Sequence, residues 1–331
     1  MEEIRDAARR IEGVAVRTPL VRVDPERMRA AGFAAPGFEL YLKAESAQPI
    51  GSFKLRGAYN MVAQLPETVR SRGVITYSSG NHAQGVAYAA RAMGVKAVIV
   101  MPSNAPEVKK AATAALGAEI VMVGPASSER KAKAEELSER FGYAVIPPYD
   151  DARIIAGQAT CGLEIAEQMP DVDLVLSPVS GGGLLSGIAT AVKLAAAEGL
   201  AKAGVQVWGC EPELAADAKE SFETRTLVEW PAAMTTRTIG DGLRTQSLGA
   251  LNFEHVLRYV DGIAAVPEVQ IYEAMRLVLG ATELVAEPSG AVTVAAAMFG
   301  ASGLPRAKKV VAVVSGGNIE PALREQMLSG G

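Results

Sequence analysis

Short apolar runs recur along this chain, and each is followed by a helical, amphipathic stretch. The segments "GVITY" (73–77), "KAVIVM" (96–101), "EIVMV" (119–123) and "YAVI" read as buried strands. A second series, "DLVLS" (173–177), "VQVWGC" (205–210), "DGIAAV" (261–266) and "KVVAVV" (309–314), has the same character, and "FELYLK" near residue 40 adds one more. Runs this short, apolar at every position and separated by segments such as "NHAQGVAYAARAM", imply parallel strands covered by helices on both faces. The expected fold class is therefore α/β, with open, mostly parallel twisted sheets flanked by helices. Nine or so strands fit one sheet or two, and no low-complexity linker or internal repeat marks a boundary.

Composition narrows the function classes. A chain of 331 residues with 49% apolar and 21% charged residues can bury a large core. The net charge of −4 is spread without a basic block, which argues against nucleic acid and anionic membranes as partners. The start, "MEEIRDAARRIEGVAV", is charged and helical, and no apolar run approaches membrane-spanning length. Cys161 and Cys210 are too far apart in sequence to suggest a disulfide framework, and His82 and His255 are the only histidines. A cytoplasmic globular protein without a thiolate or histidine metal cage is expected.

In such folds ligands sit beyond the C-terminal ends of strands, where loops enter helices. Three glycine-bearing loops have that position: "SSGNHAQG", "PVSGGGLLSG" and "SGGN". In the second, Ser180, Gly181, Gly182 and Gly183 open a helix whose free amides and dipole attract an anion such as phosphate. The loop lacks the Walker and dinucleotide spacings, and an ordinary strand-to-helix turn would use the same residues. The amides from Ser78 to His82 suit a carboxylate, although either serine is also an ordinary helix cap. Ser315 ends a strand, where its hydroxyl can meet a heterocycle nitrogen. Finally, "QPIGSFKLRGAYN" (48–60) sets Lys54 two residues from Arg56, and a neighbouring cation favours the neutral, nucleophilic amine. A surface lysine in a loop is the plain alternative.

With these residues in hand, the chain resembles the pyridoxal-phosphate-dependent threonine/serine dehydratase and serine racemase family, of the tryptophan-synthase-like fold type II. "GSFKLRGA", "SSGNHAQGVAYAA", "VSGGGLLSG", "EPSGA" and "VVSGGN" occur in the family's order and spacing over nearly the whole chain. The resemblance implies that Lys54 forms the imine with the cofactor and that Phe53 lies beside it. It further implies that Asn81 meets the pyridine hydroxyl, Ser180 through Leu184 hold the phosphate, and Ser315 faces the pyridine nitrogen. Gly242, in "IGDGLR", and Glu287 are placed close to the ring. Ser78, Ser79, Gly80, Asn81 and His82 are the implied substrate-carboxylate loop. Two departures stand out: Ser180 where many relatives carry glycine, and Ile50 where threonine is usual.

Two domains are implied, residues 47–144 as a small mobile one and residues 1–46 plus 145–331 as a large cofactor-binding one. The implied reaction is α,β-elimination of water from L-threonine or L-serine, giving a 2-oxo acid and ammonia. Lys54 takes the α-proton. Ser315, a neutral partner, is a weaker electron sink than a carboxylate would be. Serine racemase and 3-hydroxyaspartate dehydratase are the enzyme alternatives, β-replacement ranks below them, and a non-catalytic nucleotide-binding protein is the rival of a different class. Ser79 is the candidate acid/base for the second face, and Arg130 the candidate contact for a second substrate carboxylate. In "EPELAAD", Glu211, the Ala215 carbonyl and Asp217 offer oxygen ligands for magnesium, calcium or manganese. Two acids near a helix start also suit the dipole alone, but the spacing matches the metal-binding branch of the family. The chain ends soon after "SGGN", so no C-terminal regulatory domain is expected, and relatives suggest a homodimer.

Overall fold

The computed structural model describes residues 1–105, 107–124 and 127–328, leaving aside the side chains of residues 127, 128 and 328. Ten strands fall into two sheets among these residues. They are β1 (Leu20–Arg22), β2 (Glu39–Lys43), β3 (Val74–Tyr77), β4 (Ala97–Pro102), β5 (Glu119–Val123), β6 (Ala144–Val145), β7 (Leu174–Pro178), β8 (Gln206–Pro212), β9 (Gly262–Val266) and β10 (Lys309–Val313). The larger sheet runs β1-β2-β10-β7-β8-β9 and the smaller β5-β4-β3-β6. All pairings are parallel except β1 on β2. Every expected apolar run became a strand. Only β1 was not anticipated, because three residues after a proline are too few to show a period.

Consecutive residues of these strands enter different cores. In β7, Leu174 and Leu176 join one apolar cluster while Val175 joins another. In β4, Ile99 and Met101 pack with Val74 and Val86, whereas Val98 and Val100 pack with Ile75 and Ala134. Both faces are thus dry, which explains why the runs are apolar throughout rather than alternating.

Nine helices carry the argument below: α1 (Lys54–Ala63), α2 (Asn81–Ala92), α3 (Glu107–Ala115), α4 (Ser127–Phe141), α5 (Ala152–Gln168), α6 (Gly183–Ala197), α7 (Asp217–Thr224), α8 (Ala250–Tyr259) and α9 (Pro288–Phe299). Helix α1 links the two sheets, packing on α2 on one side and α5 on the other. The α1–α5 crossing is so close that a Cβ on Gly157 would lie 2.6 Å from the Cα of Gly57.

Where α1 meets α5, Arg56 is fully buried and paired twice over. Its guanidinium donates to Glu45 at 2.8 and 2.8 Å and to Glu164 at 2.7 and 2.9 Å, and also to Thr160 Oγ1 and the Val16 carbonyl. Lys43, equally buried, donates to Glu164, Gln168 and the Thr18 carbonyl. Two cations thus balance two carboxylates. Burial alone would raise the Glu45 carboxyl, but Arg56 outweighs it and holds Glu45 below its ordinary value.

This corrects the reading of Arg56 as the cation that keeps Lys54 neutral. Helix positions two apart do not face each other, and Arg56 spends its charge on Glu45 and Glu164.

Replacing Arg56 by alanine should strand the buried Glu45 carboxylate, leave Glu164 to Lys43 alone, and cost about 3–5 kcal/mol of stability, read as a lowered urea midpoint. A cost below ~1 kcal/mol would mean that water or Lys43 takes over the pairing.

Candidate active site

The lysine is delivered to the end of β10 by backbone stitching. Phe53 N–H donates to the Ser315 carbonyl at 3.0 Å, and Ser52 bridges Gly316 in antiparallel fashion. Gly317 N–H returns to the Gly51 carbonyl at 2.9 Å, and Asn318 Nδ2 reaches the Ile50 carbonyl. Gly51 has φ +71°, and a Cβ there would fall 2.3 Å from Asn318 Oδ1, so only glycine suits the turn. The Ile50 departure leaves this stitching intact because the contact is made by its carbonyl.

Lys54 Nζ donates to the Pro148 carbonyl at 2.8 Å. Burial, with no carboxylate contributing, lowers its pKa to about 8. Desolvation is therefore what favours the neutral amine, the role first assigned to Arg56. Helix α2 presses on the same place, since a Cβ on Gly85 would lie 3.2 Å from the Lys54 carbonyl oxygen.

Beside the lysine segment, Asn81 Nδ2 donates to Glu287 Oε1 at 2.6 Å, while Asn318 Nδ2 donates to Asn81 Oδ1 at 2.7 Å. Glu287 precedes α9 and is 5% exposed. Burial first, then the nearby Asp241 charge, raises its pKa to about 7. Gly242 N–H donates to Ser289 Oγ at 2.9 Å, bringing the "IGDGLR" turn to the same helix start. Ser315 ends this group at the tip of β10, buried. Asn81, Glu287, Gly242, Ser315 and Lys54 are therefore joined through neighbouring segments.

The Ser78–His82 loop leads from β3 into α2. Ser78 Oγ accepts from Gly80 N–H at 3.3 Å, and Ser79 is half-buried. His82 is buried against the Ile146 carbonyl, 3.0 Å from Nε2, and burial lowers its pKa to about 3. Its neutral ring thus anchors the loop through Nε2.

Between β7 and α6, Ser180 (φ 56°) and Gly182 (φ 94°) both take left-handed conformations. The Ser180 position is thus one that glycine fills more easily. Gly182 N–H closes onto the Val179 carbonyl, and Gly249 N–H onto that of Gly181. The Gly183 and Leu184 amides open α6, where no intrahelical acceptor exists. Ser180 Oγ lies 3.2 Å from Thr245 Oγ1.

Tyr149 was not identified from sequence. A Cβ on Gly181 would sit 2.5 Å from its ring, and one on Gly183 would sit 3.0 Å from its Cβ. Burial, then the neighbouring Tyr77, raises the Tyr149 pKa to about 12, so the phenol keeps its proton. Its carbonyl faces Asn252, and the next residue, Asp150, accepts from the Ala250 and Leu251 amides at the start of α8. The signal was available in "PPYDD", an aromatic residue in a proline-bounded crossover from strand to helix.

At the end of β8, Glu211 Oε1 accepts from Lys219 N–H at 2.7 Å. Asp217 is 2% exposed, and its Oδ2 has no hydrogen-bond partner among the described residues. Burial and the adjacent Asp217 charge push the Glu211 carboxyl well up, and burial raises Asp217 to about 7. No cluster of three or more His, Cys, Asp or Glu side chains able to hold a metal occurs among the described residues. Two buried carboxylates meet here, and the chemistry of the orphaned Asp217 oxygen suits a hard cation. Arg130 lies near the start of α4, half-buried, and burial opposes its charge.

Residues 11–316 match the family model for pyridoxal-phosphate dependent enzymes. An L-threonine ammonia-lyase from Thermotoga maritima is 40% identical over all of this chain and 78% of its own length. An L-threo-3-hydroxyaspartate ammonia-lyase from Saccharomyces cerevisiae is 36% identical over 99% of this chain and 96% of its own. The structure of maize serine racemase superposes with a TM-score of 0.89 at 34% identity, covering 99% of this chain and 96% of that one.

Gly181→Ala should push the loop off Tyr149 and weaken binding of pyridoxal phosphate and of free phosphate by about tenfold or more, a cost of ~1.4 kcal/mol or above. Unchanged affinity in a binding titration would remove the loop as the anion cradle.

Proposed function

Because the chain belongs to the pyridoxal-phosphate dependent enzyme family, we propose that it is an ammonia-lyase converting L-threonine and L-serine to 2-oxo acid and ammonia. One observation carries the reading. Consecutive residues touch the two segments read as halves of a cofactor site: Pro148 accepts from the Lys54 amine, and Tyr149 lies against the glycine loop. An amine and an anion cradle held that close suit a ligand bearing an aldehyde and a phosphate. A nucleotide would leave Lys54 without a role.

When bound, pyridoxal phosphate supplies the electron sink for charge left on the substrate's α-carbon. Lys54 would hold the cofactor through its amine, and the same amine, when free, would take the substrate's α-proton. Its lowered pKa of about 8 suits a general base near neutral pH. The Ser180–Leu184 segment holds the phosphate. Ser315 would give the ring nitrogen a neutral partner, and Phe53 would lie beside the ring. Asn81, carried between Glu287 and Asn318, would meet the ring hydroxyl of the bound cofactor. Amides from Ser78 to His82 hold the substrate carboxylate, and the four-stranded unit moves with them as the small domain, excluding water.

Within this reading Ser79 is the acid/base of the second face and supports a side racemase activity. Half-buried Arg130 suits a second carboxylate, as in 3-hydroxyaspartate. Glu211, the Ala215 carbonyl and Asp217 hold magnesium, calcium or manganese, which would neutralise two buried carboxylates. The enzyme is cytoplasmic and homodimeric in this proposal. No helix among the described residues is long and apolar enough to cross a membrane.

The purified protein should be yellow, and borohydride should fix the cofactor's mass on Lys54. Lys54→Ala should abolish 2-oxo acid formation from a panel of β-hydroxy amino acids of both configurations. Ser79→Ala should lose D-serine turnover and racemisation by ~10²–10⁴-fold while keeping much of its L-threonine activity. Equal losses for both enantiomers would make Ser79 a substrate-positioning group only.

Chelation should lower thermal stability or activity, with magnesium or calcium restoring it, and Asp217→Ala should blunt that response because one charged ligand is gone. A wild type indifferent to chelator would leave the two acids as helix-terminal charges.

A further inference from the structure

A second set of contacts crosses between the two sheet units near Glu287. Lys109, on α3 of the four-stranded unit, forms an ion pair with Asp241 of the six-stranded unit. Asp241 opens a one-turn helix (Asp241–Leu243) that is braced from several sides. The Arg244 guanidinium donates to the Thr238 carbonyl at 2.6 and 3.0 Å, Gly240 N–H to Thr238 Oγ1, and Leu243 N–H to the Gly240 carbonyl. Ile239 N–H donates to Glu268, and Gly242 N–H to Ser289. Asp241 therefore stands on a braced turn, and Lys109 reaches it from the other sheet unit with only 18% of its side chain exposed.

We propose that Lys109 is a positioning residue for the reaction, its ammonium clamping α3 to Asp241 so that Asn81 of the same unit stays in register with Glu287. This rests on the reading of Asn81 and Glu287 as groups beside the cofactor ring. The pair acts on Glu287 electrostatically as well as mechanically. The charges that reach Glu287 are Asp241, which raises its pKa, and Lys109, which lowers it. Its neutral partners are the Asn81 side chain and the Asn318 backbone amide. A deprotonated Glu287 is the better acceptor for Asn81 Nδ2.

The two ends of the clamp thus have opposite electrostatic signs and one mechanical sign, which separates positioning from ordinary surface pairing. On the holoenzyme, Lys109→Ala should raise KM for L-threonine by about twofold to fivefold with a smaller effect on kcat, the range of a partly exposed pair. It should also move the acidic limb of the pH profile to higher pH. Asp241→Asn should move that limb to lower pH while raising KM in the same way, and Lys109→Arg should restore both. Amide exchange without substrate should quicken at residues 78–82 and 107–115 in both disruptive variants. Limbs that shift together or stay put, with exchange unchanged, would overturn the proposal. Exchange is read without turnover, so an inactive wild type would sink the lyase reading and leave the clamp measurable.

Discussion

The Arg56 guanidinium is held by two carboxylates that reach it from opposite sides. Glu45 arrives on the segment after β2, Glu164 on α5, and Lys43 closes the set from β2 itself. Charges taken out of water this completely are tolerated only when every donor is used, and Arg56 donates to six oxygen contacts. The geometry leaves α1 little rotational freedom. With Arg56 turned into the interior, Lys54 points elsewhere, toward the Pro148 carbonyl. The orientation of the Lys54 amine is thus constrained by a neighbour on the same helix whose own contacts are to Glu45 and Glu164.

Around that fixed helix the site is assembled from strand ends. β3, β7 and β10 each stop at a small-residue loop, and β2 continues into the lysine segment that stitches back to β10. Parallel strands bring these loops to one edge, although they lie far apart in sequence. The loops are rigid for different reasons: φ > 0 and Tyr149 for the glycine loop, a buried neutral histidine for the Ser78–His82 loop, and backbone pairing for residues 315–318.

Much of this was legible in the chain itself. Buried strands advertise themselves as apolar runs, and the loops that follow them carry glycine and serine because tight turns and free amides require small residues. The motifs around Lys54, Asn81, Ser180 and Ser315 pointed to the family, and the family matches agree. What the sequence concealed were pairings between distant residues. Arg56 and Glu164 are 108 positions apart, Lys109 and Asp241 132 apart, and nothing local to either marks its partner. Tyr149 was hidden differently, as an aromatic in a loop whose importance depends on the glycine opposite. The misreading of Arg56 had a physical source: closeness along the chain was taken for closeness in space, which a helix denies to residues two apart.

The crossover from β6 to α5 has an implication for how the molecule is made. It is a single passage of chain, residues 146–151, yet its carbonyls and ring meet His82, Lys54 and the glycine loop in turn. His82 belongs with the four-stranded unit and the glycine loop with the six-stranded one. A half-folded chain with only one unit formed therefore has the crossover seated at one end alone. The contacts of this crossover are therefore complete only when both units are in place.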